Sequence, residues 1–263
     1  MPPKPRPRTY DPAKTRAAVF AQFAHVREAV RGLTGEQLAR PTDLAPWSVR
    51  ELAAHIGMAM YAVVRALEAE EPRKAELGLD RYAGSSAPYA GAIAETVQAL
   101  AEEHPDLDAW YGEIEERIRT LLDAAPAGRL VRMRVGAMSL DDFMVTRTVE
   151  LIVHTDDLNR AAGIDIPLHR HALATCTRFL ADALASNAPG ASTEVRIPPY
   201  AVVQCIEGPR HTRGTPPNVV ETDPLTWVRL ATGRTAWSEA LDAAKVSASG
   251  ERADLSGLLP VLT

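Results

Sequence analysis

Ser139–Gly163 reads SLDDFMVTRTVELIVHTDDLNRAAG, and its reading decides the fold. Ser139 is of the type that caps a helix N-terminus, and Gly163 of the type that stops one. Between them Phe143, Met144, Val145, Val149, Leu151, Ile152, Val153 and Leu158 lie on every side of the helix. A helix that is apolar all round is a buried one, so this helix is central. One strip breaks the pattern. At about 100° per residue, Arg147, Glu150, His154 and Asp157 fall within about 80° of each other. Ionisable side chains on a buried helix are costly unless they are paired or coordinated. Glu150 and His154 stand one turn apart, with Cβ atoms about 5–6 Å apart. They can form a hydrogen-bonded pair, or they can share one ion.

Working outward, the pattern stays helical from Asp11 to about Asn187. Asp11-Pro12 opens an Ala-rich helix that runs to about Arg31, and Gly32–Pro46 is a long connection. Ser48-Val49-Arg50-Glu51 is a capping box, and behind it Leu52, Ile56, Met60, Val63 and Leu67 form one apolar stripe. Glu70–Pro88 reads as loop, Ala90–Glu103 and Asp108–Ala125 as helices, and Pro126–Gly136 as a break in the helical run. A further helix covers about His169–Ala185. After the turn signal Asn187-Ala188-Pro189-Gly190 the character changes. Val195–Ile197, Ala201–Ile206 and Val219–Glu221 are short β-type runs. A helix opened by Asp223-Pro224 closes at Gly233. Ala236–Ala243 is helical, Lys245–Ser249 a strand and Asp254–Leu259 a last helical turn. The expected organisation is a disordered tail over 1–10, a helical bundle over 11–187 and a small α+β domain over 188–263.

Composition narrows the function. Lys plus Arg number 29 against 34 Asp plus Glu, a net charge of −5, which argues against nucleic acid as a partner because phosphate binding needs a basic field. No apolar run is long enough to span a membrane. The basic, proline-rich start lacks the apolar core of a signal peptide, so a cytoplasmic location is expected. Cys176 and Cys205 read as small core residues rather than nucleophiles.

A divalent ion would need a third ligand beside Glu150 and His154, and His55, on the shoulder of the Leu52–Leu67 stripe, is placed to supply it. His25, His104, His169, His171 and His211 offer no comparable spacing.

Trp47-Ser48-Val49-Arg50-Glu51-Leu52-Ala53-Ala54-His55 resembles the W-S-x-x-x-L-x-x-H signature of the mycothiol-dependent maleylpyruvate isomerases, a branch of the DinB-like metal-binding bundles. Gly136-Ala137-Met138, with the block from Arg147 to Leu158, is similar to that family's G-x-M … R-x-x-E-x-x-x-H-x-x-D-L pattern. The resemblance implies a DinB-like four-helix bundle in which His55, Glu150 and His154 bind one divalent metal, usually zinc. It implies mycothiol as a thiol co-substrate, with Arg147 and Asp157 beside the metal as orienters of ligand or substrate. The chain departs from the pattern at Thr155-Asp156, where the family often has a small residue and Trp, and this bears on pocket shape and substrate.

Downstream, Asp223–Arg234 with Val246–Gly250 and Leu255–Leu259 resembles the end of sterol-carrier-like domains, so the fold class expected is α plus α+β. In the isomerases a Gly-Arg at this place supplies an active-site arginine, which here would be Arg234, binding a substrate carboxylate. Arg234 is equally a helix C-terminal cation favoured by the dipole. Arg210, His211 and Arg213 could hold a carboxylate or phosphate, or form a solvated loop. Three functions stay open: a metal- and mycothiol-dependent isomerase or S-transferase of a small, carboxylated molecule; a lipid or small-ligand carrier with a structural metal; and a zinc hydrolase.

Overall fold

The computed structural model describes residues 8–82, 90–208 and 217–262. In chain order the elements are α1 (Pro12–Arg31), α2 (Gly35–Leu38), α3 (Val49–Glu68), α4 (Leu79–Tyr82), α5 (Ala90–Glu103) and α6 (Leu107–Ala124). Then come β1 (Leu130–Met133), β2 (Gly136–Ser139), α7 (Leu140–Ala162) and α8 (Arg170–Asn187). The last are β3 (Thr193–Ile197), β4 (Ala201–Cys205), β5 (Val219–Thr222), α9 (Pro224–Ala231), α10 (Trp237–Asp242) and β6 (Val246–Ser249), with a 3-10 turn over Ser256–Leu258.

Four helices close a ring: α1 packs on α6 and α7, and α3 packs on the same two. This is the four-helix bundle, with α5 laid against α3 and α8 against α1 and α7. The capping residues read from sequence do their work. Ser48 Oγ accepts from the Glu51 amide while the Glu51 carboxylate accepts from the Ser48 amide, and Ser139 Oγ accepts from the Asp142 amide. Gly163 ends α7 at φ +68°, a left-handed conformation that glycine adopts without a Cβ penalty. As the all-round apolar pattern requires, α7 is central, with Met144, Ile152 and Leu158 fully buried.

Gly57 lets α3 and α6 approach. A Cβ there would stand 2.3 Å from the Trp110 ring, which is stacked on His104 at 4.1 Å between centroids. Gly57→Ala is therefore expected to destabilise the fold by up to about 2 kcal/mol, the overpacking cost of about 1–3 kcal/mol less alanine's helix preference of about 1 kcal/mol. Thermal denaturation checks this, and an unchanged or raised midpoint would contradict it.

The second part is a four-stranded sheet in the order β4-β3-β5-β6, with β3 and β5 parallel and the other pairs antiparallel. Its inner residues Val195, Ile197, Cys205 and Val220 share one hydrophobic core with the helices. Its outer face carries Arg196 between Glu194 and Glu221. Helix α8 packs on α1 and α7 and also on β4 and α9, so it stands between the bundle and the sheet.

Pro126–Gly136 breaks the helical run as expected, and it carries β1, which forms a hairpin with β2. Two expectations need correction. Gly32–Pro46, read as connection, contains α2, capped by Thr34 and Gln37. Glu70–Pro88, read as loop, contains α4 as far as Tyr82, and 83–89 lie outside the described residues. Within the stretch expected as a tail over 1–10, Arg8 forks onto Asp182 of α8 at 2.9 and 3.1 Å and Tyr10 packs on the core. Residues 1–7 lie outside the described residues.

Candidate metal centre

His55 stands on α3, and Glu150 and His154 stand one turn apart on the facing side of α7. Glu150 Oε2 lies 3.3 Å from His55 Nε2 and 3.5 Å from His154 Nε2. The three ligand atoms lie within 4.8 Å of one another, and no other such group of His, Cys, Asp or Glu exists among the described residues. An ion bonded at about 2.0–2.1 Å in tetrahedral geometry separates its ligands by about 3.3 Å. The spacing fits.

The protonation chemistry fits as well. His154 Nδ1 lies 3.0 Å from Asp157 Oδ2, an acceptor, so the ring carries its proton on Nδ1 and presents the Nε2 lone pair to the cluster. That leaves acceptors facing acceptors unless a cation or a further proton stands between them. Among protons alone, burial disfavours charge on His154, but the hydrogen bonds to Asp157 and Glu150 outweigh it and raise its pKa. Burial and the neighbouring His154 lower the pKa of His55. Burial would raise Glu150, yet hydrogen bonds from both imidazoles and the charge of Arg147 hold it well below the usual carboxylate range.

The two rings are oriented differently. His55 packs on the Trp47 ring at 4.9 Å between centroids and meets the edge of His154 at 4.6 Å. Its Nδ1 is buried and has no hydrogen-bond partner among the described residues. His154 is held by a hydrogen bond instead.

Arg147, 5 % exposed, donates from Nη1 to the Ala59 carbonyl of α3, and from Nη2 to Thr146 Oγ1 and to the Tyr82 hydroxyl. The same Nη2 lies 3.8 Å from Glu150 Oε1. Asp157, 3 % exposed, receives Arg160 Nη2 at 2.6 Å, Arg234 Nη2 at 3.0 Å and Arg234 Nε at 3.4 Å as well as His154. Hydrogen bonding by His154 and the charge of Arg234 outweigh burial and push the Asp157 pKa far down.

Arg234 comes from the sheet domain. Helix α9 ends in a Schellman turn: the Gly233 amide bonds the Leu230 carbonyl, the Arg234 amide bonds the Arg229 carbonyl, and Gly233 sits at φ +72°. The turn sends Arg234 back toward α7. Arg229, on the same helix, grips Asp156 with two bonds of 2.7 and 2.8 Å. Asp156 is where the chain departs from the resembling pattern, and its use is this bond across to α9.

The structure thus brings His55, Glu150, His154, Arg147, Asp157 and Arg234 to one place. Sequence reasoning did not find Arg229 or Tyr82, which no local period links to the site, nor Arg160, although it stands one turn beyond Asp157 on α7. Arg210, His211 and Arg213 lie outside the described residues. Cys176 and Cys205 are buried and unpaired.

No helix among the described residues is long and apolar enough to cross a membrane. No curated protein matches the chain in sequence. Two solved structures of the mycothiol-dependent maleylpyruvate isomerase, one of them a mutant, share its fold. They match with TM-scores of 0.61 and 0.60 at 15% and 14% identity, each over 93% of this chain and 95% of that one. Residues 169–261, starting just before α8, match the family model described as a bacterial SCP ortholog. Residues 19–159, more than half of the chain and the part that carries His55, Glu150 and His154, match the model for the mycothiol maleylpyruvate isomerase N-terminal domain, and to that family the chain belongs.

Proposed function

We propose that this protein is a divalent-metal enzyme, with zinc as the metal, that uses mycothiol to attack a small electrophilic, carboxylated substrate. The observation that carries this reading is the convergence of His55 Nε2, Glu150 Oε2 and His154 Nε2 on one point between α3 and α7. Held by these three groups, a zinc ion supplies an open Lewis-acid position at which a thiol gives up its proton at neutral pH.

The chain's own groups do the rest. Arg147 holds Glu150 in place from the α3 side, and Asp157 fixes the proton of His154 on Nδ1. The sulfur has to come from outside the chain: Cys176 is fully buried with its thiol pushed far up, and burial raises the Cys205 thiol to about 11. A thiolate that adds to an unsaturated carbon and is expelled after bond rotation would isomerise the substrate, whereas one that stays, with the thiol's proton returned to the adjacent carbon, would make an S-conjugate. Arg234 uses three of its five N–H groups on Asp157 and the Thr232 carbonyl. The other two, on a side chain 19 % exposed, suit a substrate carboxylate. Two unpaired cysteines accord with work in the reducing cytoplasm.

Cobalt substitution tests the reading. Mycothiol added to the cobalt-loaded protein is expected to produce a thiolate-to-metal charge-transfer band in the near ultraviolet, and its S-methyl derivative none. Absence of the band from protein holding one cobalt per chain would remove the thiol from the site.

A further inference from the structure

Two adjacent carboxylates on α7, those of Asp156 and Asp157, are almost completely buried, at 4 % and 3 % exposure. Each is met by an arginine of the sheet domain, Asp156 by Arg229 of α9 and Asp157 by Arg234 of the turn that ends α9, while Arg160 of α7 lies beside both. Beside the shared apolar core, bundle and sheet domain are therefore also joined by buried carboxylates paired with partly exposed guanidiniums, whose geometry is tightly specified. Asp157 stands at the crossing. Its Oδ2 receives the His154 Nδ1 proton on one side and Arg234 Nη2 on the other, while Oδ1 is taken chiefly by Arg160. Without Arg234 only the His154 bond itself opposes rotation of the carboxylate toward Arg160, and the bond that aims His154 loses its second anchor. Arg234 is fixed in turn by the Thr232 carbonyl and by the Schellman turn at Gly233.

We infer that Arg234 is a positioning residue for the metal centre: acting through Asp157, the sheet domain aims the His154 imidazole and so sets the affinity of the bundle's site. The inference rests on the metal reading above and extends it, because it gives the second domain a part in building the site that is separate from any contact with substrate. Coupling of this kind is reciprocal, so metal in the bundle also favours the seated sheet domain.

Positioning and simple charge make opposite predictions. A guanidinium near a cation site repels the cation, so if charge alone mattered, removing it would tighten metal binding. If Arg234 positions His154, removing it loosens binding. The experiment measures the zinc dissociation constant of the full-length protein by competition with a chromophoric chelator. It compares the unmodified chain with Asp157→Asn, Arg234→Met and Arg234→Lys, after circular dichroism has established that each is folded. Partners of metal-bound histidines are worth about 10–100-fold in affinity. Asp157→Asn is expected to weaken zinc about tenfold, Arg234→Met about threefold, and Arg234→Lys less than Arg234→Met. Arg234→Met that binds zinc as well as the unmodified chain, or better, overturns the inference. If Arg234→Met does not fold, Asp157→Asn and Arg234→Lys decide, and unchanged affinity in both overturns it. Failure of the unmodified chain to bind zinc overturns the metal reading itself and this inference with it.

Discussion

Chelator-stripped protein reloaded with zinc is expected to hold about one ion per chain, and His154→Ala is expected to lose it on desalting. Structural zinc sites are worth about 10–16 kcal/mol in apparent binding energy, or about 2.5–4 kcal/mol for each of four ligands. At about 1.4 kcal/mol per factor of ten, deleting one ligand weakens binding by about 10²–10³-fold. His154 is the ligand to delete first because its ring is the one a hydrogen bond aims, through Asp157. Elemental analysis reads the outcome, and stoichiometric zinc in His154→Ala would show that the site is elsewhere.

Acidification should remove the metal in a defined order. Each imidazole must be neutral at Nε2 to bind, so protons and metal compete. The pKa of His154 is raised, so a proton competes there from a pH above the ordinary imidazole value of about 6.5. His55, lowered, stays neutral through that range, and Glu150, well below the carboxylate range, stays ionised. Metal loss on lowering pH is therefore expected to begin at His154. Asp157→Asn, which replaces the charged acceptor with a neutral amide oxygen, should lower the His154 pKa, as read by an NMR titration of the metal-free protein.

The bundle and its ligand set were legible because they depend on short-range order. A 3.6-residue period marks the face of α3, an apolar circumference marks α7 as central, and a four-residue spacing puts Glu150 and His154 on one strip. Caps at Ser48 and Ser139 fixed where those helices begin. What the sequence hid has no local signature. The β1–β2 hairpin turns on Arg134-Val135, without the Asn-Gly or Asp-Gly that announces such turns, and its strands are only four residues long. Asp156 and Arg229 meet across 73 positions of sequence, and Tyr82 reaches Arg147 from a polar stretch with no helical period. Arg234 had two readings from sequence, as a cation near a helix end and as a substrate ligand. The position after Gly233 is common to both, and only the packed fold, with α9 on α8, reveals the bond to Asp157.

Turnover is expected to require metal and low-molecular-weight thiol together and to vanish when either is withheld. A free thiol with a pKa of about 8.5 is mostly protonated at neutral pH, and the described residues offer no base–cysteine pair that would activate one, since Cys176 and Cys205 are buried with raised pKa values. The assay crosses stripped and zinc-loaded protein with and without mycothiol, against maleylpyruvate and a panel of epoxides and other electrophiles. Only the zinc-plus-thiol cell should turn over. His154→Ala should empty that cell, whereas Arg234→Ala should lower turnover of a carboxylated substrate more than that of an uncharged electrophile, because only the former uses the two outward N–H groups of Arg234. Full turnover with zinc and no thiol would point to hydrolysis instead. No turnover in any cell, combined with tight binding of an apolar ligand, would make the protein a carrier. The sheet domain's inner face argues against that outcome, because Val195, Ile197, Val220 and Trp227 already fill it as part of the common core.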